Sequence, residues 1–326
     1  MKSHGAKADL LTATLFNDLD RVKECIQEEQ SYIDRQDAKG YTAMYIAIAN
    51  NNFSICEYLV QMRAAMDLDQ DHLPSPLLLC SIQHLDHYIS IMIKNGADPN
   101  PFWKKQHILA ILIKHETQED GIDYLKTLHE LCFHGSDPCL FDTGASTFSN
   151  RENRQDYQPA IVIALEKRNV TAFELFCLYA DNNQLIQDES GASIVHMIIK
   201  TNPMHDQDEQ LLFHMLKSLL MNAKVFIDSD SSENGDSCLH CLIRTNHRNM
   251  DVLNLLLDKG ANVHSKNIDS LTPLMLAVLY DQPEIAMLLA EKHGALGDVR
   301  NDEGRTVVHL LYEETELYRL NPTPPR

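Results

Sequence analysis

The sequence predicts an all-α solenoid of seven to eight helix-turn-helix units with capping helices at its ends. Three observations carry that prediction. A helix-opening tetrapeptide recurs at Thr42, Ser75, Ser193, Ser237, Thr272 and Thr306, with weaker forms at Gln106 and Gln158. Steps of 33 (Thr42 to Ser75), 35 (Gln158 to Ser193, Ser237 to Thr272) and 34 (Thr272 to Thr306) set the period, and the register carries two expansions. Apolar residues then return at i, i+3, i+4, as in Ile55, Tyr58, Leu59, in Ile89, Met92, Ile93 and in Val252, Leu255, Leu256, one face of a helix each time. A glycine precedes four openings by two residues, at Gly40, Gly191, Gly235 and Gly304.

The clearest unit runs from Asp269 to Gly304. Thr272 can cap a helix with its hydroxyl, and Pro273 sits at a first-turn position that needs no N–H. Leu274, Ala277 and Val278 face inward; Asp281 to Pro283 turns the chain; Ile285, Leu288 and Leu289 line a second helix; Gly294 ends it. This stretch, Thr272-Pro273-Leu274-Met275-Leu276-Ala277, resembles the T-P-L-H-x-A signature of the ankyrin repeat, with Met275 in place of the usual His. The resemblance covers roughly Leu10 to Glu316. It implies an ankyrin solenoid that binds partners along a concave groove and through the turns between repeats.

Taken in order, residues 1–38 hold a capping helix pair, with Leu10 to Leu15 and Val22 to Ile26 as its apolar parts. Repeats follow over 39–140. Residues 141–157 form a polar insertion loop, repeats and a C-terminal cap occupy 158–316, and 317–326 is a disordered tail rich in proline. Asn202 to Gln210 lengthens a link between two helices, and Asp228 to Asp236 is an acidic loop.

A net charge of −19 argues against a nucleic-acid footprint. Eight cysteines (25, 56, 80, 132, 139, 177, 238, 241) lie scattered in helical patterns, which speaks for a reducing compartment and against a disulfide framework. No apolar run reaches the ~20 residues of a membrane span, and Met1 to Phe16 lacks the parts of a signal peptide. The expectation is a cytoplasmic protein. The diverged repeats and long polar inserts resemble the ankyrin proteins that intracellular bacteria or large DNA viruses deliver into host cells, which would place it in a host cytosol. The acidic run Tyr312 to Glu316 is similar to a type IV secretion signal, and a solvated helix end explains it equally well.

Chemistry is sparse. Cys238-Leu239-His240-Cys241 contains a CxxC, but the two further zinc ligands would have to come from distant repeats, and His240 falls on the repeat's consensus His. Counting a calcium loop from Asp230 puts Gly235 in the required place and Cys241 where a bidentate Glu is needed. Cys132 or Cys139 with His129 or His134 and Asp137 or Asp142 would form a nucleophilic site only if the fold joined them; Cys132 also fits a helix's apolar face. No catalytic residue, metal or cofactor is therefore assigned. The alternative to a binding module is an enzyme or metal protein with its site in 104–157.

Partner-binding candidates come from the repeat frame. The position after the signature His reads Ile46, Leu79, Ala110, Val162, Met197, Cys241, Leu276 and Leu310, an apolar strip that receives a partner if it is exposed and seals the repeats if it is not. Phe102-Trp103-Lys104 occupies the turn between two units, with the chain's single Trp as an anchor for a partner or for the weak third unit. Tyr41, Leu271, Tyr280 and Arg305 complete the set. The predicted partner is another protein, a host protein in the effector reading.

Overall fold

The computed structural model describes residues 10–66, 73–115, 121–140, 158–180, 192–201, 206–222, 227, 234–245, 249–295 and 297–312. The loop 141–157, most of the acidic loop 228–236, the run from Glu313 and the tail 317–326 lie outside them.

The chain divides into two compact units, Met1–Tyr179 and Ala180–Arg326. The first holds α1 (10–15), α2 (Leu19–Glu28), a 3-10 turn (Gln30–Tyr32), α3 (Ala43–Ala49), α4 (Phe53–Gln61), α5 (Pro76–Ile82), α6 (Asp86–Lys94), strands β1 (Phe102–Trp103) and β2 (Gln106–His107), α7 (Ile108–His115), α8 (Gly121–Phe133), α9 (Ala160–Glu166) and α10 (Val170–Tyr179). The second holds α11 (Ile194–Lys200), α12 (Asp206–Asn222), α13 (Cys238–Arg244), α14 (Met250–Asp258), α15 (Pro273–Leu279), α16 (Pro283–His293) and α17 (307–312).

Each unit is two layers of helix. In the first, α3, α5, α7 and α9 pack side by side, and α2, α4, α6, α8 and α10 lie behind them. In the second, α11, α13 and α15 form one row, with α12 and α14 behind and α16 against α15. Neither row buries its apolar stripe alone, which is why successive helix pairs stack within each unit.

Local chemistry sets the helix starts. The hydroxyls of Thr42, Ser75 and Thr272 accept the amides of Tyr45, Leu78 and Met275 at 3.1, 3.2 and 3.3 Å. Each such cap contributes about 1 kcal/mol. Pro76, Pro273 and Pro283 stand in first turns, and Gly294 ends α16 at φ +66°. First helices turn into second ones through a left-handed non-glycine residue: Asn17, Asn51, His84, Arg168 and Asp281. The following amide bonds back to the first helix, as Gln282 N to Ala277 O at 2.9 Å, so each turn repeats a C-cap geometry.

Two expectations need correction. Residues 206–210 belong to α12 and not to a link, as the first turn ahead of its buried face Leu212, Met215, Leu216 and Leu219. The openings at Gln106 and Gln158 lie one residue early: α7 starts at Ile108 and α9 at Ala160. Neither site has a hydroxyl cap to mark it. The Ile108 amide bonds to Pro101 O and the Ile161 amide to Pro138 O instead.

Candidate partner-binding surface

Phe102 to His107 form an antiparallel hairpin, the only strand pair among the described residues. Phe102 pairs with His107 and Trp103 with Gln106, so Lys104 and Lys105 are its two-residue turn. Both lysines have positive φ, +49° and +66°. That is the turn whose backbone matches strand twist and which favours Asn-Gly. Phe102 is 42% exposed, and both lysines are exposed. The Lys104 ammonium lies 4.1 Å from the centre of the half-buried Trp103 ring, a cation–π contact.

The base of the hairpin is dry. His107 is 2% exposed, and its Nε2 lies 3.1 Å from Asn100 Oδ1. That oxygen also accepts the Asp137 amide at 2.8 Å, and Asn100 Nδ2 donates to Gly135 O. Oδ1 is an acceptor, so Nε2 carries the imidazole proton and Nδ1 is left as a buried acceptor without a donor. Burial lowers the His107 pKa to about 4. Trp103 Nε1 is likewise buried with no partner.

The other predicted residues separate by burial. In the first unit, Tyr41 stacks on Tyr45 at 5.0 Å, Ile46 and Leu79 are half-buried, and Ala110 and Val162 are buried. In the second, Met197 is half-buried while Cys241, Leu276 and Leu310 are buried. The apolar strip is therefore mostly repeat core. Leu276, 1% exposed, seals α15 against its neighbours and offers no surface to a partner. Leu271 is half-buried, and its carbonyl is held by His240. Tyr280 is 41% exposed, with its hydroxyl accepting from Arg244 at 3.3 Å, and Arg305 pairs with Glu303 at 3.2 Å.

A reactive centre in 104–157 finds no geometry among the described residues. Burial pushes the Cys132 thiol up to about 12, so it is not a ready thiolate. His129 meets Tyr179 at 3.1 Å and stacks on Phe133. Thr127 contacts His84 and Asp86 at 3.1 and 2.7 Å, but it is sealed at 0% exposure. His240 has both nitrogens engaged, by Ser237 and Leu271 O, and so has no lone pair left for a metal.

Comparison with known proteins settles the family. The ankyrin-repeat family model matches residues 10–102, 207–301 and 246–316, together more than half of the chain. This chain is an ankyrin-repeat protein. The E3 ubiquitin-protein ligase KEG of Arabidopsis thaliana is 21% identical over 319 residues. That alignment spans 90% of this chain and only 19% of the ligase. The family matches leave 103–206 outside, the part that contains most of the hairpin and the displaced openings.

Ankyrin register explains further polar ties. His196 and His240, on the family's consensus His, bond forward to the next repeat, to Asp236 O at 3.1 Å and Leu271 O at 2.9 Å. Other residues of these ties were missed in the sequence. Five residues before three openings stands an Asp or Asn: Asp37, Asn267 and Asn301. Each carboxyl or amide oxygen accepts two amides of its own turn: Lys39 and Tyr41, Asp269 and Leu271, Glu303 and Arg305. Asp236, 4% exposed, receives Arg244 Nε at 2.5 Å and Asn267 Nδ2 at 3.0 Å, and thereby holds Arg244 beside Tyr280. The recurring offset of five residues was the available signal.

Proposed function

We propose that this ankyrin-repeat chain is a non-catalytic module that binds another protein. Its contact surface is the hairpin Phe102–His107, with Tyr41, Ile46 and Leu79 flanking in the first unit, and Met197, Leu271, Tyr280 and Arg305 as a further surface in the second. The observation that carries the reading is the hairpin itself: an exposed Phe102 and a half-buried Trp103 on a finger that projects no catalytic group. Aromatic side chains on a rigid element make strong interface anchors because they bury much area for little lost rotamer freedom. The net charge of −19 disfavours nucleic acid as the partner. A secreted effector that captures a host protein in the cytosol would use the same surface. The ligase activity named for the plant relative is not carried over, given how little of that protein is spanned.

The test is affinity retention by the intact chain against a Phe102→Ala, Trp103→Ala double variant, both shown folded by circular dichroism. The module reading expects proteins retained by the intact chain to fall at least about tenfold with the variant, the size of a hot-spot loss. Equal retention by both removes the hairpin from the contact surface.

A further inference from the structure

The hairpin is chemically unlike the rest of the chain. The protein carries 28 basic and 47 acidic residues. Between Lys94 and Lys114, however, stand four lysines (94, 104, 105 and 114) and one carboxylate, Asp98. The two lysines at the tip are exposed, and both hold a left-handed backbone that a side chain resists. Nothing in the turn's geometry calls for lysine, since Asn and Gly would sit there with less strain. Strained residues that persist against local preference cluster at functional positions. Beneath the tip, the Trp103 indole N–H is a buried donor that has found no acceptor. Two exposed lysines next to an exposed ring share one complement: an anionic chain with an apolar residue.

Building on the binding-module reading, we infer that the hairpin docks an acidic segment of the partner protein. Its carboxylates meet Lys104 and Lys105, and an apolar residue lies against Phe102. Drawing Lys104 from the Trp103 ring to a carboxylate replaces a cation–π contact with a charge-assisted hydrogen bond, the stronger of the two at an exposed site. Because most of this protein repels such a segment, the basic island also fixes where it lands.

Trp103 is the only Trp, so the emission of the whole protein reports on the hairpin. The probes are two capped peptides, Glu-Glu-Phe-Glu-Glu and Lys-Lys-Phe-Lys-Lys, titrated into the intact chain. The inference expects a saturable emission change with the glutamate peptide alone, and an affinity that drops about tenfold between low and high salt. Lys104→Asn with Lys105→Gly removes both charges and keeps the turn; it is expected to weaken the glutamate peptide at least about tenfold with the fold intact. Equal binding by that variant, or by the lysine peptide, overturns the inference. If no glutamate peptide binds while proteins are still lost with the Phe102 and Trp103 substitutions, the module reading stands and the acidic-segment inference falls.

Discussion

Two kinds of turn join the repeats, and they are held by opposite means. At Asp37, Asn267 and Asn301, a side-chain oxygen accepts two amides of its own loop, and the backbone closes behind it, as Asn267 N to Leu271 O at 3.1 Å. These turns satisfy their polar groups from within. The hairpin at 102–107 is held by strand pairing instead. It is closed by two short strands and leaves Trp103 Nε1 and His107 Nδ1 unpaired. The braced turns spend their polar groups on the fold; the hairpin keeps two in reserve, together with two lysines in strained positions. Buried polar atoms left without a partner are rare in folded proteins, and two of them in one hairpin set it apart from the braced turns.

Three measurements press on that contrast. The largest effect concerns His107. Unfolded, its imidazole takes a proton below the ordinary 6.5; folded, burial holds it neutral down to about 4. The neutral ring's contribution is complete above pH 6.5 and is lost as pH falls through that window, by about 3 kcal/mol at its end. Urea midpoints of the intact chain and of His107→Gln should converge between pH 7 and 4.5; parallel curves would show that the hairpin base does not feel its buried ring. Next is Asn267→Ala, which removes the loop brace and the Asp236 contact at once. A loss of about 2 kcal/mol is expected in denaturant unfolding, and a loss under about 0.5 kcal/mol would dissolve the distinction between braced and strand-paired turns. Smallest is Lys104→Asn with Lys105→Gly, expected to stabilise by about 1 kcal/mol by relieving two left-handed lysines. A destabilised variant in the same assay would mean that the Lys104 contact with Trp103 outweighs the strain.

The contrast also explains what the sequence disclosed. Thr272-Pro273 and Gly294 write their conformations directly: a hydroxyl that caps, a proline that needs no donor, a glycine that tolerates positive φ. Register propagated from there to Thr42, Ser75, Ser193, Ser237 and Thr306. It slipped by one at Gln106 and Gln158, because His107 and Pro159 carry no capping hydroxyl. The hairpin was illegible for a related reason. Two-residue strands have no periodicity, and Lys-Lys lacks the Asn-Gly that announces such a turn. Trp103 was singled out by its rarity and its place between units; its half-buried ring and unpaired N–H depend on tertiary contacts that no local pattern records. Five positions of the apolar strip are buried for the opposite reason. At Cys241, Leu276 and Leu310 the composition of a groove and of a core is the same, and only packing decides between them.

The eight cysteines, finally, make the protein its own clock. All are buried and none is in a disulfide, six in the first unit and two in the second. Burial holds Cys56 at about 12 and raises Cys80 and Cys177 as well, so those three stay protonated, and burial shields all eight sulfurs. An alkylating reagent can reach a given sulfur only when its own repeat opens, and in a repeat array opening is local. A timed pulse of reagent followed by peptide mass analysis would therefore write the order in which the repeats breathe into the chain itself, without a single label being introduced.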